Sequence, residues 1–220
     1  MRSDSFETRT SCDCSGNSSN WTSSNELPNH RVKPTAAGLL WQNLRHRAAA
    51  AYAEELDCFF SVNMETITIR RWKLQTDPEA TRVAFSGVLI GSPESCGCGD
   101  CLNFAAARDR AYPSEAVSIF EQLGIDRVKE SEIWHTHRDA SGLHHYGGFF
   151  HFVGAIKGGK DSMVMVNGHG TYDLERIGED FDFGLTSNVA LVPTPFGENP
   201  IVQLEFQTRI PWVLNTPESD

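Results

Sequence analysis

What this sequence lacks narrows it first. No stretch approaches the eighteen or more consecutive apolar residues of a membrane-spanning helix. The opening Met1-Arg-Ser-Asp-Ser-Phe-Glu7 has no apolar core of the length that a secretory signal requires. Both absences lead to the expectation of a soluble, cytoplasmic protein. There is no Gly-x-Ser-x-Gly elbow, no His-Glu-x-x-His helix, no phosphate-binding loop and no dinucleotide fingerprint before a helix, so several common enzyme classes lose their sequence support. The sequence leaves open whether the protein is an enzyme.

Positive charge is also scarce. The formal charge is −10, and from Asp161 to Asp220 ten acids face two bases, Arg176 and Arg209. A surface of that sign repels phosphate backbones, which argues against nucleic-acid binding and suits a cationic ligand or a basic partner protein. Such acids also simply keep a surface soluble. The six cysteines are too unevenly spaced for a dense disulfide framework and fit reduced thiols in the cytoplasm.

Three of those cysteines form the most distinctive stretch, Cys96-Gly97-Cys98-Gly99-Asp100-Cys101. The flanking sequence predicts a turn between a strand and a helix. Thr81 to Ile90 is β-branched and apolar before Gly91-Ser-Pro93, and Leu102 to Arg110 is rich in helix formers. Small glycines let the backbone wrap closely, and amides at a helix start favour a thiolate. Cys-x-Cys-x-x-Cys supplies three ligands of a tetrahedral zinc, leaving a fourth to come from elsewhere. The donors considered are His135, His137, His145, His151, His169 and Cys58, with His135 and His137 favoured as a pair one residue apart on a strand. Cys12 and Cys14 could also reach back. A competing reading uses Cys98-Gly-Asp-Cys101 as a dithiol redox pair, against which Asp100 would raise both thiol pKa values. In a third, the cysteines bind nothing.

The remaining sequence predicts a Ser- and Asn-rich tail over residues 1–30 and a single α+β domain over 31–220. Leu40, Leu44, Ala48, Tyr52 and Leu56 recur at helical spacing. Phe59–Val62, Thr66–Leu74, Thr81–Ile90, Glu132–His137, a segment within Leu143–Ile156, Val189–Val192 and Ile201–Phe206 read as strands. Ser114 to Gly124 reads as a second helix after the thiol loop, and Asn167-Gly168 as a hairpin turn between Ser162–Val166 and Thr171–Leu174. Simple alternation places Ile133, His135 and His137 on one strand face, with Asp139 positioned to orient an imidazole. His151, among Phe149, Phe150, Phe152 and Val153, reads as a hydrogen-bonded core histidine. Gly178 to Gly184 reads as solvated charge.

The expected fold is α+β, a largely antiparallel sheet with about three main helices. The expected function is a soluble zinc-stabilised metal-binding domain that recognises a small molecule or a protein. The alternatives are a thiol-disulfide enzyme using Cys98 and Cys101, and a metal-free interaction module with an acidic C-terminal face.

Overall fold

The structure is a computed structural model, and it describes residues 64–218. The expected N-terminal tail, the helix around Leu40–Leu56, the strand at Phe59–Val62, and Cys12, Cys14 and Cys58 lie outside the described residues. The described chain opens with a hairpin, β1 (Glu65–Ile69) and β2 (Trp72–Thr76). The sequence reading runs these together as one strand. Arg70, at φ 51°, turns the chain between them, and Ile69 pairs with Trp72.

Helix α1 (Pro78–Gly87) follows where the sequence predicts a strand from Thr81. Local start signals outweigh the β-branched composition. The Asp77 side chain accepts the Ala80 N–H, Pro78 is already set for a first helical turn, and Thr81, Ala84 and Phe85 are buried at three- and four-residue spacing. A short helix, α2 (Ser92–Cys96), comes next and ends at Gly97, whose φ of +67° is the left-handed cap that glycine adopts without strain. Helix α3 (Gly99–Ala111) starts two residues later with Cys98 as its N-cap residue, and α4 (Ser114–Leu123) ends in a second left-handed glycine, Gly124. The thiol loop therefore joins two helices, where the sequence predicts a strand before it.

Seven more strands complete the described fold: β3 (Glu132–Arg138), β4 (Leu143–Gly158), β5 (Met163–Val166), β6 (His169–Tyr172), β7 (Glu175–Arg176), β8 (Phe181–Thr186) and β9 (Ile201–Pro211). The main sheet runs β1-β2-β4-β9-β8-β7 with β3 also on β4, and every pairing is antiparallel. This is the α+β architecture expected. The acidic run at 178–184 contributes β8 because Phe181 and Phe183 face the core, while no strand forms at 189–192. The expected hairpin turns at Asn167 and Gly168, both with positive φ.

Strand β4 is shared along one edge. Its first half pairs with β3, its second half with β2, and β9 takes the opposite edge from Leu143 to Val153. Ladder partners share a face, so Tyr146, Phe150 and Phe152 lie with Leu204, Phe206, Phe183 and Leu74 on the side the helices cover. Tyr112 of the α3–α4 connection enters this layer with ring contacts to Phe120, Phe150, Phe181 and Phe206. The aromatic core is one continuous cluster.

The thiol-bearing helices are clamped to the sheet by charge. Arg108 of α3 reaches Glu130, just before β3, at 2.9 Å and Glu94 of α2 at 2.7 Å, and Tyr112 donates to Glu130 at 2.8 Å. The Glu130 side chain is fully buried, and burial raises its pKa against the opposing pull of Arg108. Removing Arg108 leaves that carboxylate buried without its cation, so Arg108→Met is expected to cost about 3 kcal/mol in urea unfolding. Adding Glu130→Gln should recover part of the loss. Additive losses in the double variant would show that the two side chains do not act as a pair.

Candidate metal centre

Cys96, Cys98 and Cys101 form the only group of three or more possible ligand residues found together among the described residues, with all three sulfurs within 4.8 Å of one another. The local fold explains the convergence. Cys96 ends α2, Gly97 reverses the chain, Cys98 begins the next helix through its carbonyl contact with Leu102 N–H, and Cys101 sits in the first turn of α3. None of the three is in a disulfide. Thiolates at ~2.3 Å from a tetrahedral zinc stand roughly 3.8 Å apart, a spacing within reach of this cluster.

Burial decides the electrostatics. The Cys101 thiol is pushed far above the ordinary range, first by desolvation and then by the neighbouring Cys98 and Cys96. The helix start favours a thiolate, but here burial and the adjacent sulfurs win. A bound cation would reverse the balance, since thiolates repel one another only until a metal lies between them.

The two histidines favoured from sequence separate. A β-bulge in β3 sets His135 opposite Tyr146 but His137 opposite His145, with one extra residue, Thr136, between them. Tyr146 and His145 are neighbours on β4 and point to opposite faces, so His135 and His137 do too. His135 lies on the helix side, where its Nδ1 is 3.7 Å from Asp100 Oδ2 in the thiol loop. His137 lies on the outer face, stacked on His145 at 4.1 Å between ring centroids. There it lines a cleft of about 430 Å³ with Trp134, Gly147, Arg176 and Arg209. A Cβ on Gly147 would collide with the Trp134 ring, so the indole packs directly on glycine backbone.

Asp139 does orient an imidazole, that of His145, at 3.0 Å. The Ser141 hydroxyl and then His145 hold its carboxyl below the usual range. His169 opens β6 and is exposed. His151 is buried, its Nδ1 2.9 Å from the Ser131 hydroxyl and its Nε2 3.2 Å from Gln203 Oε1. The same Gln203 oxygen accepts the Ala190 N–H, so Nε2 of His151 carries the ring proton and the serine donates to Nδ1. This is the core histidine that the alternation predicts.

Sequence reasoning missed His144, Tyr146 and Glu218. Tyr146 donates to the Asp100 carbonyl and accepts from Asn103, fixing the first turn of α3 to β4. His144 Nδ1 lies 3.1 Å from His135 Nε2. Its Nε2 is buried without a hydrogen-bond partner, 3.6 Å from Glu218 Oε2. The signal available was the His144-His145 doublet opposite His135 and His137 across a hairpin, but only the bulge tells which imidazoles meet.

A thiol whose pKa is higher in the folded chain than in the unfolded one keeps its proton after the unfolded thiol has lost it. Its contribution is present below the ordinary thiol value, roughly 8.5, and is lost as pH rises beyond it. The metal-free protein is therefore expected to lose thermal stability between about pH 8 and pH 10. Replacing Cys101 by Ala should flatten that dependence. An equally steep loss in the Cys101→Ala protein would place its origin elsewhere.

No protein-family model matches this chain, and no curated protein or solved structure matches it either.

Proposed function

We propose that the protein is a zinc-binding domain in which Cys96, Cys98 and Cys101 are thiolate ligands and the bound ion stabilises the α2–α3 turn, with His135 the imidazole that meets that loop, at Asp100. The observation that carries this reading is the convergence of three sulfurs from one glycine-containing turn. An all-sulfur donor set selects zinc over hard cations such as magnesium and calcium. His137 contributes less to the reading than its sequence position promised, since it faces the opposite side of the sheet. Reduced thiols suit the cytoplasm. Among the described residues no helix is long and apolar enough to cross a membrane. The domain would then present its surface to a small molecule or a protein, with the metal holding the two helices in place.

The redox alternative asks Cys98 or Cys101 to be a ready thiolate. The raised Cys101 pKa works against it, because nucleophilic cysteines sit where their pKa is depressed. The same buried thiol suits a ligand whose proton is displaced by an ion.

Elemental analysis of protein purified without an affinity metal, combined with thiol titration before and after a chelator, separates the possibilities. One zinc per chain with three thiols released only by chelator is the expected result. Cys98→Ser should then lower the zinc-loaded melting temperature by several degrees while changing the metal-free value little, because binding energy adds to folding energy. Reversible dithiol cycling without metal would favour the redox enzyme, and freely titrating inert thiols would leave the metal-free interaction module.

A further inference from the structure

Asp100, His135, His144 and Glu218 form a row, carboxylate to imidazole to imidazole to carboxylate, running from the thiol loop to the C-terminal segment. Its three contacts measure 3.7, 3.1 and 3.6 Å. Only the middle one is a hydrogen bond. Two neutral imidazoles carry two ring protons for these three gaps. If both protons sit on Nδ1, His135 satisfies Asp100 and accepts from His144, but a lone pair of His144 faces Glu218. If both sit on Nε2, His144 satisfies Glu218 and accepts from His135, but a lone pair of His135 faces Asp100. Either way one carboxylate confronts a lone pair. The long outer contacts and the partnerless Nε2 of His144, in a residue only 2% exposed, are what such a shortage looks like.

In the first arrangement Arg138, 3.4 Å from the same Glu218 oxygen, serves that carboxylate in place of His144. A metal at the thiol loop would select the second, because the nitrogen that arrangement leaves bare, His135 Nδ1, is the one that faces that loop.

We propose that a metal held by Cys96, Cys98 and Cys101 takes His135 Nδ1 as its fourth ligand, and that His144 and Glu218 are positioning residues that fix this tautomer, so that metal occupancy tightens the C-terminal segment 212–218 against the domain. The proposal rests on the metal-binding reading above. A proton displaced from Nδ1 of His135 is balanced by one taken up from solvent at Nε2 of His144, so the pair keeps two. The segment is already placed to respond. Trp212 packs on the His144 ring at 5.3 Å, Val213 N–H donates to Asn103 of α3 at 2.7 Å, and Glu218 also meets Arg138 at 3.4 Å. Partners behind a ligating histidine change metal affinity by about 10- to 100-fold when removed.

The test measures zinc affinity of the full chain by chelator competition, together with the Co²⁺ absorption spectrum and hydrogen exchange at residues 212–218 with and without zinc. Glu218→Gln, a partly exposed change, is expected to weaken zinc binding about tenfold and to abolish the zinc-dependent slowing of exchange. Arg138→Gln, which leaves the carboxylate in place, should stay within about twofold of the unmodified protein. His135→Ala should alter the ligand-field bands of the Co²⁺ form, as a merely structural role would not. Unchanged zinc affinity in Glu218→Gln, or an unchanged Co²⁺ spectrum in His135→Ala, overturns the inference while leaving a three-cysteine site intact. Failure of the unmodified protein to bind zinc overturns both.

Discussion

Strand β4 sets the direction of the imidazoles on either side of the sheet, those beside the thiol loop included. Its sixteen residues carry two different partners along one edge and β9 along the other, so its pleat cannot slip without moving all three. Tyr146 and His144 point to the helices and His145 away from them as a direct result. The bulge in β3 then transfers that division to His135 and His137. A single extra residue thus decides which imidazole lies beside the thiol loop and which lines the cleft on the other face.

The thiol loop is held from two sides by unlike interactions. Arg108 ties both helices that flank it to a buried carboxylate at the sheet, and Tyr146 ties the first turn of α3 to β4 through the Asp100 carbonyl. The three sulfurs converge even though, unliganded, Cys98 and Cys96 add to the burial that disfavours ionisation of Cys101. A frame that brings such groups together is the form of preorganisation that a metal site needs, since the ordering cost is met by folding and not by binding.

The class of fold and the thiol cluster were legible in the sequence because both rest on local patterns. Asn167-Gly168 marks a turn by its backbone preference, Gly124 a helix end, and Cys-x-Cys-x-x-Cys keeps its sulfurs close in almost any tight loop. Thr81 to Ile90 misled because its apolar composition was weighed without the start signals just ahead of it, Asp77 and Pro78. The split of Thr66–Leu74 into a hairpin rests on Arg70 taking a positive φ, for which arginine has no intrinsic preference. The placing of His135 and His137 on one strand face failed for a different reason. Strict alternation is sound within a regular strand, but a bulge inverts it, and the bulge is set by pairing with β4 and not by residues 135 to 137 themselves. Glu218 was out of reach altogether, because its approach to His144 depends on where β9 delivers the end of the chain.

Size argues that an ion here would act locally. The aromatic layer around Tyr112, Phe150 and Phe206 is continuous and closed without any contribution from the thiol loop. Each fully buried large apolar side chain contributes on the order of 2–3 kcal/mol, so this core carries a large favourable term that does not depend on an ion. That contrasts with small zinc modules, whose few apolar residues leave the metal to supply the folding energy. In this domain the binding energy would fall instead on the elements the core does not fully constrain, the α2–α3 turn and the segment after β9. The two are joined by the row of groups between Asp100 and Glu218 and, directly, by Asn103 of α3 accepting the Val213 N–H.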